Sequence, residues 1–365
     1  METGLTADSQ RRMLDMEKNR KQFLDVARGL AIICIVLGHL GQGSINRVVF
    51  TFHVPIFFLI SGYFISAESS VKEFLKKKIR TLIVPYGVFC LAVILSAVAF
   101  DLLLNHGRNA LQLAAEWLFA ALYGAGDSYT YPFTIRAIGA LWFLLATFWG
   151  SVALRFLLER KAGTRLAAIA VIFALTKWST RIFWFPLSIQ AGGGALLYMY
   201  IGYLCKELLP MFQRLRMETK AALLSLMAWV WVAFMVNFQS FWLVHCDFGR
   251  GVVDIIGSLC ACACVLVLSY CISSRWKKLA KAAAYLGRYS LLVLGMHIIE
   301  LNTFPWDSLI SKVYGGTSDA VFLLIKIMLK FLWIVPMTVV FSRWRFTRKL
   351  LGFEKKKSKP VLREC

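Results

Sequence analysis

Long apolar runs, each of about 18 to 24 residues, alternate along this chain with short blocks of lysine and arginine. No other feature constrains the fold as strongly. A helix of about 20 residues crosses the roughly 30 Å hydrocarbon core of a bilayer. Without the alternation of a barrel strand, only a helix satisfies every backbone group inside lipid. Ten such spans are expected, at 23–42, 47–66, 81–103, 137–157, 165–180, 184–205, 219–239, 251–272, 284–303 and 320–342, each end good to a few residues. The stretch 110–125, which carries Glu116, is too short and mixed for a span and is expected as an interfacial or re-entrant helix in an outer loop.

The formal net charge of +22 does not mark a nucleic-acid binder, because the cations sit between the apolar runs. With a cytoplasmic N-terminus and ten spans, 33 of the 42 Lys and Arg fall on cytoplasmic segments and seven on outer ones, with Lys326 and Lys330 inside the last span. This is the positive-inside distribution, and an eleventh span at 110–125 would invert every later loop. The expected fold class is therefore an all-α integral membrane protein, a polytopic bundle of about ten transmembrane helices with both termini cytoplasmic. A membrane domain over 23–343 lies between basic tails at 1–22 and 344–365, which are expected to be disordered or to lie on anionic headgroups. No internal repeat is visible, which argues against a transporter built from duplicated halves. The nine cysteines have no metal-ligand spacing. Cys260, Cys262 and Cys264 read as small packing residues, and no resident metal or permanently bound cofactor is expected.

Polar groups inside spans are costly and tend to mark function. His39, His53 and His297 qualify, whereas His106 and His245 fall in outer loops and read as solvated. Arg28 and His39 on the first span are eleven steps apart, which leaves them ~20° from whole turns, on one helix face and ~16 Å apart along the axis. Asp25, one turn before Arg28, can orient or neutralise it. Taken singly, Arg28 also fits an anchor snorkelling to headgroups, and His39 a histidine hydrogen-bonded between helices. His53 on the second span and His297 on the ninth come out near the same depth as His39. Ser61-Gly62 offers a small surface for close helix approach. Glu300, one turn after His297, is expected to pair with Lys326 or Lys330.

The run Leu24-Asp-Val-Ala-Arg28-Gly-Leu-Ala-Ile, with His39 after ten residues, is followed by Phe52-His53-Val-Pro-Ile-Phe-Phe-Leu-Ile-Ser-Gly62-Tyr-Phe. Together these resemble the membrane acyltransferase-3 family, which includes bacterial sugar O-acetyltransferases and proteins related to fucose 4-O-acetylases. Leu141-Trp142-Phe-Leu is similar to that family's aromatic motif, and Gly287-Arg-Tyr-Ser290 through His297 to its late motif ending in histidine. Where the family often carries two arginines three apart before a Pro-Tyr, this chain has Lys77 and Arg80 before Pro85-Tyr86. Lysine binds phosphate as a point charge without the guanidinium fork.

The resemblance implies a multi-pass protein of the bacterial cytoplasmic membrane. It also implies an acyl-coenzyme A co-substrate, usually acetyl-CoA, and a carbohydrate or lipid-linked glycan acceptor of the cell envelope. The residues suit that chemistry. Arg28, Lys77, Lys78 and Arg80 are expected to hold the donor phosphates, and His39 to act as general base with Arg28 and His297 completing the catalytic set. His53, Trp142 and Glu300 are the expected substrate contacts, and Trp142 is also a candidate for stabilising the oxyanion. A transporter or flippase of a lipid-linked glycan is the alternative from another class, and a structural or sensory membrane subunit a third.

Overall fold

The computed structural model describes residues 7–104, 109–131, 133–315 and 320–353, and of residues 7–21 the backbone course only. Among the described residues there is no strand, only one antiparallel bridge between Tyr129 and Ile135. They contain sixteen α-helices: α1 (Ala7–Gly38), α2 (Gly43–Val49), α3 (Pro55–Tyr63), α4 (Val71–Lys78), α5 (Val84–Leu103), α6 (Ala110–Tyr123), α7 (Trp142–Leu157), α8 (Ala162–Ser179), α9 (Ile189–Arg214), α10 (Met217–Val236), α11 (Val252–Arg275), α12 (Lys277–Arg288), α13 (Ser290–Thr303), α14 (Trp306–Tyr314), α15 (Ala320–Arg343) and α16 (Arg345–Leu350). His106 and the chain beyond Phe353 lie outside the described residues.

Among the described residues, five helical stretches are long and apolar enough to cross a membrane: Val71–Leu103, Gly139–Leu157, Met217–Val236, Val252–Arg275 and Ala320–Arg343. Helix occupies each of the ten expected ranges, but two of those ranges are not straight rods. The second is broken at residues 50–54, where α2 ends and Pro55 opens α3. Proline fits a first helical position because its missing N–H has no partner to lose there. The ninth is bent by 71° between α12 and α13. The cause is compositional: α12 exposes Lys277, Lys278, Lys281 and Arg288 and buries Ala280, Ala283, Ala284 and Gly287. That two-sided pattern suits a surface helix and not a lipid-immersed one. Val71–Leu103 passes through a π-helical turn at Ile79–Ile83 just before Pro85, whose absent N–H interrupts the regular ladder.

The expected tail boundaries are not breaks in the structure either. Helix α1 runs unbroken through residue 22, so residues 7–22 are helical. At the other end, α16 turns back so that Phe353 meets Tyr289 edge to face at 5.2 Å.

Glycines set the closest helix crossings. A Cβ on Gly29 would overlap the Ala283 carbonyl, and one on Gly287 the Asp25 carbonyl, so α1 and α12 touch backbone to backbone. Gly62 is pressed in the same way on Met199, and Gly202 on Leu59, which joins α3 to α9. The surface expected at Ser61-Gly62 is thus in use. Replacing Gly287 by Ala is expected to cost ~1–3 kcal/mol through forced separation of the two helices. Gly163→Ala in the first turn of α8, where a Cβ would meet nothing within 4 Å, should leave stability unchanged or raise it. Thermal unfolding of the two variants in detergent checks this; equal midpoints would contradict the crossing.

Loops gather at two ends of the bundle. At one end, fully buried Arg155 on α7 donates to Glu159 at 2.7 Å and to the carbonyls of Ala67 and Ser69 at 3.2 and 2.7 Å. This staples the α3–α4 loop and so fixes where α4 begins. At the other end, the Ser188 hydroxyl donates to the Gly124 carbonyl at 2.6 Å, and the Tyr123 hydroxyl to the Trp184 carbonyl at 2.5 Å. Helix α1 leads from the first end toward the second, carrying Arg28 near one and His39 near the other.

Candidate active site

The first group is cationic. Arg28 lies 3.8 Å from Asp25 and 5.7 Å over the ring of Phe64, with 29% of its side chain exposed. Arg288, carried in by the α1–α12 crossing, sits 3.7 Å from the same Asp25. From α4, the Lys78 ammonium donates to the Ser151 hydroxyl at 3.0 Å and feels the charges of Lys77 and Arg28. Arg28, Lys77 and Lys78 therefore share one end of the molecule. Arg80 also borders another feature. Two residues of helical rotation and the π turn carry it to an open apolar groove of about 720 Å³ lined by Val71, Lys72, Leu75, Lys76, Ile79 and Val84. Its part in holding the donor phosphates stays an expectation.

The second group is imidazole. His39 caps the end of α1, where its Nδ1 lies 2.8 Å from the Ile35 carbonyl. A carbonyl only accepts, so Nδ1 carries the proton and Nε2 of the neutral ring is left as a free base. The His39 ring is exposed, yet it packs edge to face on His297 at 5.0 Å, and His297 has no exposure at all. His53 and Lys330 are further titratable groups near it. His53 sits in the break between α2 and α3, its Nδ1 2.6 Å from the Val49 carbonyl and its ring against Phe50 at 4.9 Å. The helix break is what turns this side chain inward; irregular backbone at such depth is tolerated where protein covers it.

Behind His39 lies a closed network. His297 Nδ1 donates to Glu300 Oε1 at 2.8 Å, and Lys330 Nζ donates to Oε1 and Oε2 at 2.7 and 3.1 Å. Trp306 Nε1 adds a third donor on Oε2 at 2.5 Å. Glu300 and Lys330 are 0% and 1% exposed. The expected pairing of Glu300 with a lysine of the last span is met by Lys330, while Lys326 pairs with Asp307 at 2.7 Å. The Glu300 carboxylate is sealed and accepts from His297, Lys330 and Trp306, and its expected contact with substrate stays an expectation. His297 Nε2 is buried without a hydrogen-bond partner among the described residues.

A family model described as an acyltransferase domain matches residues 21–343, nearly the whole described chain. The protein belongs to the acyltransferase-3 family. No curated protein and no solved structure shows a match to it. As a membrane acyltransferase, the protein holds its motif residues in two places. Arg28, His39, His53 and His297 line up from the cationic end to the imidazole layer. Trp142 stands apart from both: it is 6% exposed, wedged against Phe58 and Phe143 and roofed by Gly126, where a Cβ would meet its ring at 2.5 Å. It packs beneath the loops, and its expected contact with substrate stays an expectation. One group escaped the sequence reading. His245 is not simply solvated but bonded at both ring nitrogens, to Tyr129 at 3.0 Å and Asp127 at 2.9 Å. Residues more than a hundred positions apart leave no local signal of such a contact.

Proposed function

We propose that this acyltransferase moves an acyl group, acetyl in the first instance, from acyl-coenzyme A to a hydroxyl of a cell-envelope carbohydrate. In this reading the ten helical ranges all span the bilayer of a bacterial cytoplasmic membrane with both termini cytoplasmic, which puts Arg28, Lys77 and Lys78 at the face where acyl-CoA is made. Those cations hold the donor's phosphates, and the pantetheine arm carries the thioester inward along α1.

The reading rests on one observation: His39, an exposed residue, has an Nε2 with no hydrogen-bond partner among the described residues and is backed by a histidine that a buried carboxylate holds in place. The acceptor hydroxyl gives its proton to His39 Nε2 while its oxygen attacks the thioester carbonyl. As the tetrahedral centre collapses, the C–S bond breaks and the coenzyme A thiolate takes the proton back from His39. The products are an ester and free coenzyme A, with nothing oxidised or reduced. In the His297–Glu300–Lys330 network the carboxylate and the ammonium offset each other, so its part is to hold fixed the imidazole against which His39 packs.

Purified protein in detergent, given acetyl-CoA and envelope polysaccharide, should release thiol only when both are present. A transporter would release none. Lys78→Ala is expected to raise KM for acetyl-CoA by ~10-fold or more with little change in kcat, the mark of lost ground-state binding. Arg80→Ala, facing the groove, should stay within about twofold of wild type. Equal effects of the two substitutions would overturn the division of the basic cluster.

A further inference from the structure

The end of the bundle opposite the cationic cluster carries an arrangement that the transfer step does not use. The loop from Ser240 to Gly251 is locked: the Trp242 and Asp247 backbones exchange two hydrogen bonds of 3.0 Å each. Fully buried Asp254 accepts from the Arg250 amide at 2.8 Å and from its guanidinium at 2.9 and 2.6 Å. Gly249, at φ +53°, takes a left-handed turn that packs it onto Asp254 and the Ser240 carbonyl, a conformation that suits glycine. Lys177 closes the other side by donating to the Cys246 carbonyl at 3.1 Å. The loop 124–138 leans on it through Gly126, which packs between Val244 and Trp142.

These two locked loops bring three polar side chains together. His245 Nε2 lies 2.9 Å from Asp127 Oδ2, and His245 Nδ1 lies 3.0 Å from the Tyr129 hydroxyl. A carboxylate accepts, so Nε2 holds the ring proton and Tyr129 donates to Nδ1. Burial first, and the Asp127 charge second, push the Tyr129 hydroxyl well above its ordinary pKa and keep it a donor. Tyr129 is stacked at 5.1 Å on Trp184, which is itself buried, so the hydroxyl cannot swing away. The Asp127 carboxylate is 45% exposed. It spends one oxygen on the Ser128 amide and the other on His245, which leaves about two of its four lone-pair sites for a ligand.

Beside this carboxylate stands an aromatic face. Trp242 is stacked on His245 at 5.5 Å and 24°, and 42% of it remains exposed. An indole held flat next to an open carboxylate is a combination that recognises a sugar: the ring takes the apolar C–H face and the carboxylate takes paired hydroxyls. An interfacial tryptophan that merely anchors lipid headgroups has no need of a fixed carboxylate beside it. The position also fits. Phe50 meets Trp242 at 5.7 Å and His53 at 4.9 Å, and a Cβ on Gly38 would lie 2.8 Å from the Phe50 ring. One aromatic ring thus separates the Trp242 face from the turn that carries His39.

We infer that Trp242 and Asp127, held by His245 and Tyr129, form a pyranose-binding subsite that docks the acceptor glycan beside His39. This rests on the acyltransferase reading above for the identity of the ligand, but binding can be measured without turnover. The probe is the envelope polysaccharide of the cell that carries the protein, cut to oligosaccharides and labelled at the reducing end, titrated against full-length protein in detergent. Trp242→Ala is expected to weaken binding by ~5-fold or more, and Asp127→Ala by ~10-fold or more. Trp242→Phe, which keeps a flat ring, should recover most of the loss. Acetyl-CoA binding should be unchanged in all three, which shows that they fold. Tyr129→Phe should weaken glycan binding less than Asp127→Ala, because it loosens His245 and leaves the carboxylate in place. Weakened glycan binding in a protein that releases no coenzyme A would uphold the subsite while removing the transferase reading. Wild-type binding in both alanine variants, no binding by the wild type, or an effect of Trp242→Ala on lipid retention alone would overturn the subsite.

Discussion

Protein with His39→Ala is expected to bind acetyl-CoA as tightly as the wild type and to release coenzyme A ~10²–10⁴-fold more slowly, the usual worth of a positioned general base. In the proposed reading the donor phosphates are held at the other end of α1, so removing the imidazole takes away no phosphate contact. The fold should survive, because the ring is exposed and its one polar bond goes to the carbonyl of the preceding turn. His39→Gln separates hydrogen bonding from base strength: the amide can still occupy the site but cannot take a proton at neutral pH. It should be as slow as the alanine variant. Stopped-flow detection of free thiol, with donor binding measured on the same preparations, checks both. A turnover number near wild type in either variant would move the base elsewhere, and buried His297, with its unpartnered Nε2, is the next group in line.

Helix geometry explains why this part of the site was legible. The spacing of Arg28 and His39 needs only that α1 stay helical, and it does so from Ala7 to Gly38. The register slips only in the last turn, where the His39 amide bonds back to Val36 instead of Ile35. The pairing of His297 with Glu300 is also local, three residues along one helix. The Lys330 partner was half legible: a lysine inside an apolar span must find an anion, but two lysines one turn apart compete, and packing of α13 on α15 decides between them.

What stayed hidden has other causes. Average hydropathy is blind to a five-residue break when both flanks are apolar, so the second span read as one rod although Pro55 marks where the new helix starts. The bend at Tyr289 was in principle readable, since Lys277, Lys278, Lys281 and Arg288 fall on the face opposite Ala280, Ala283, Ala284 and Gly287. The contact of Asp127 with His245 obeys no period at all. It depends on two loops folding over each other, and the nearest sequence hint is the pair Trp242 and His245 in an aromatic-rich segment.

The strongest effect on stability is expected at Lys330. Replacing it by Met removes the ammonium and leaves Glu300 as a buried carboxylate with only His297 and Trp306 as donors. Breaking a buried pair from one side typically costs ~3–5 kcal/mol, because the remaining charge has lost both water and counterion. The unfolding midpoint of Lys330→Met in detergent should therefore fall steeply, and turnover with it, as His297 loses its fixed neighbour. Adding Glu300→Gln to the same protein makes the site neutral. The Gln oxygen still accepts from His297 Nδ1, so the midpoint should return most of the way. The rate should not return fully with it, because a neutral amide oxygen holds His297 Nδ1 less firmly than a carboxylate does. Recovery of both together would reduce the network to packing, and a single variant as stable as wild type would mean that Glu300 takes up a proton once its lysine is gone.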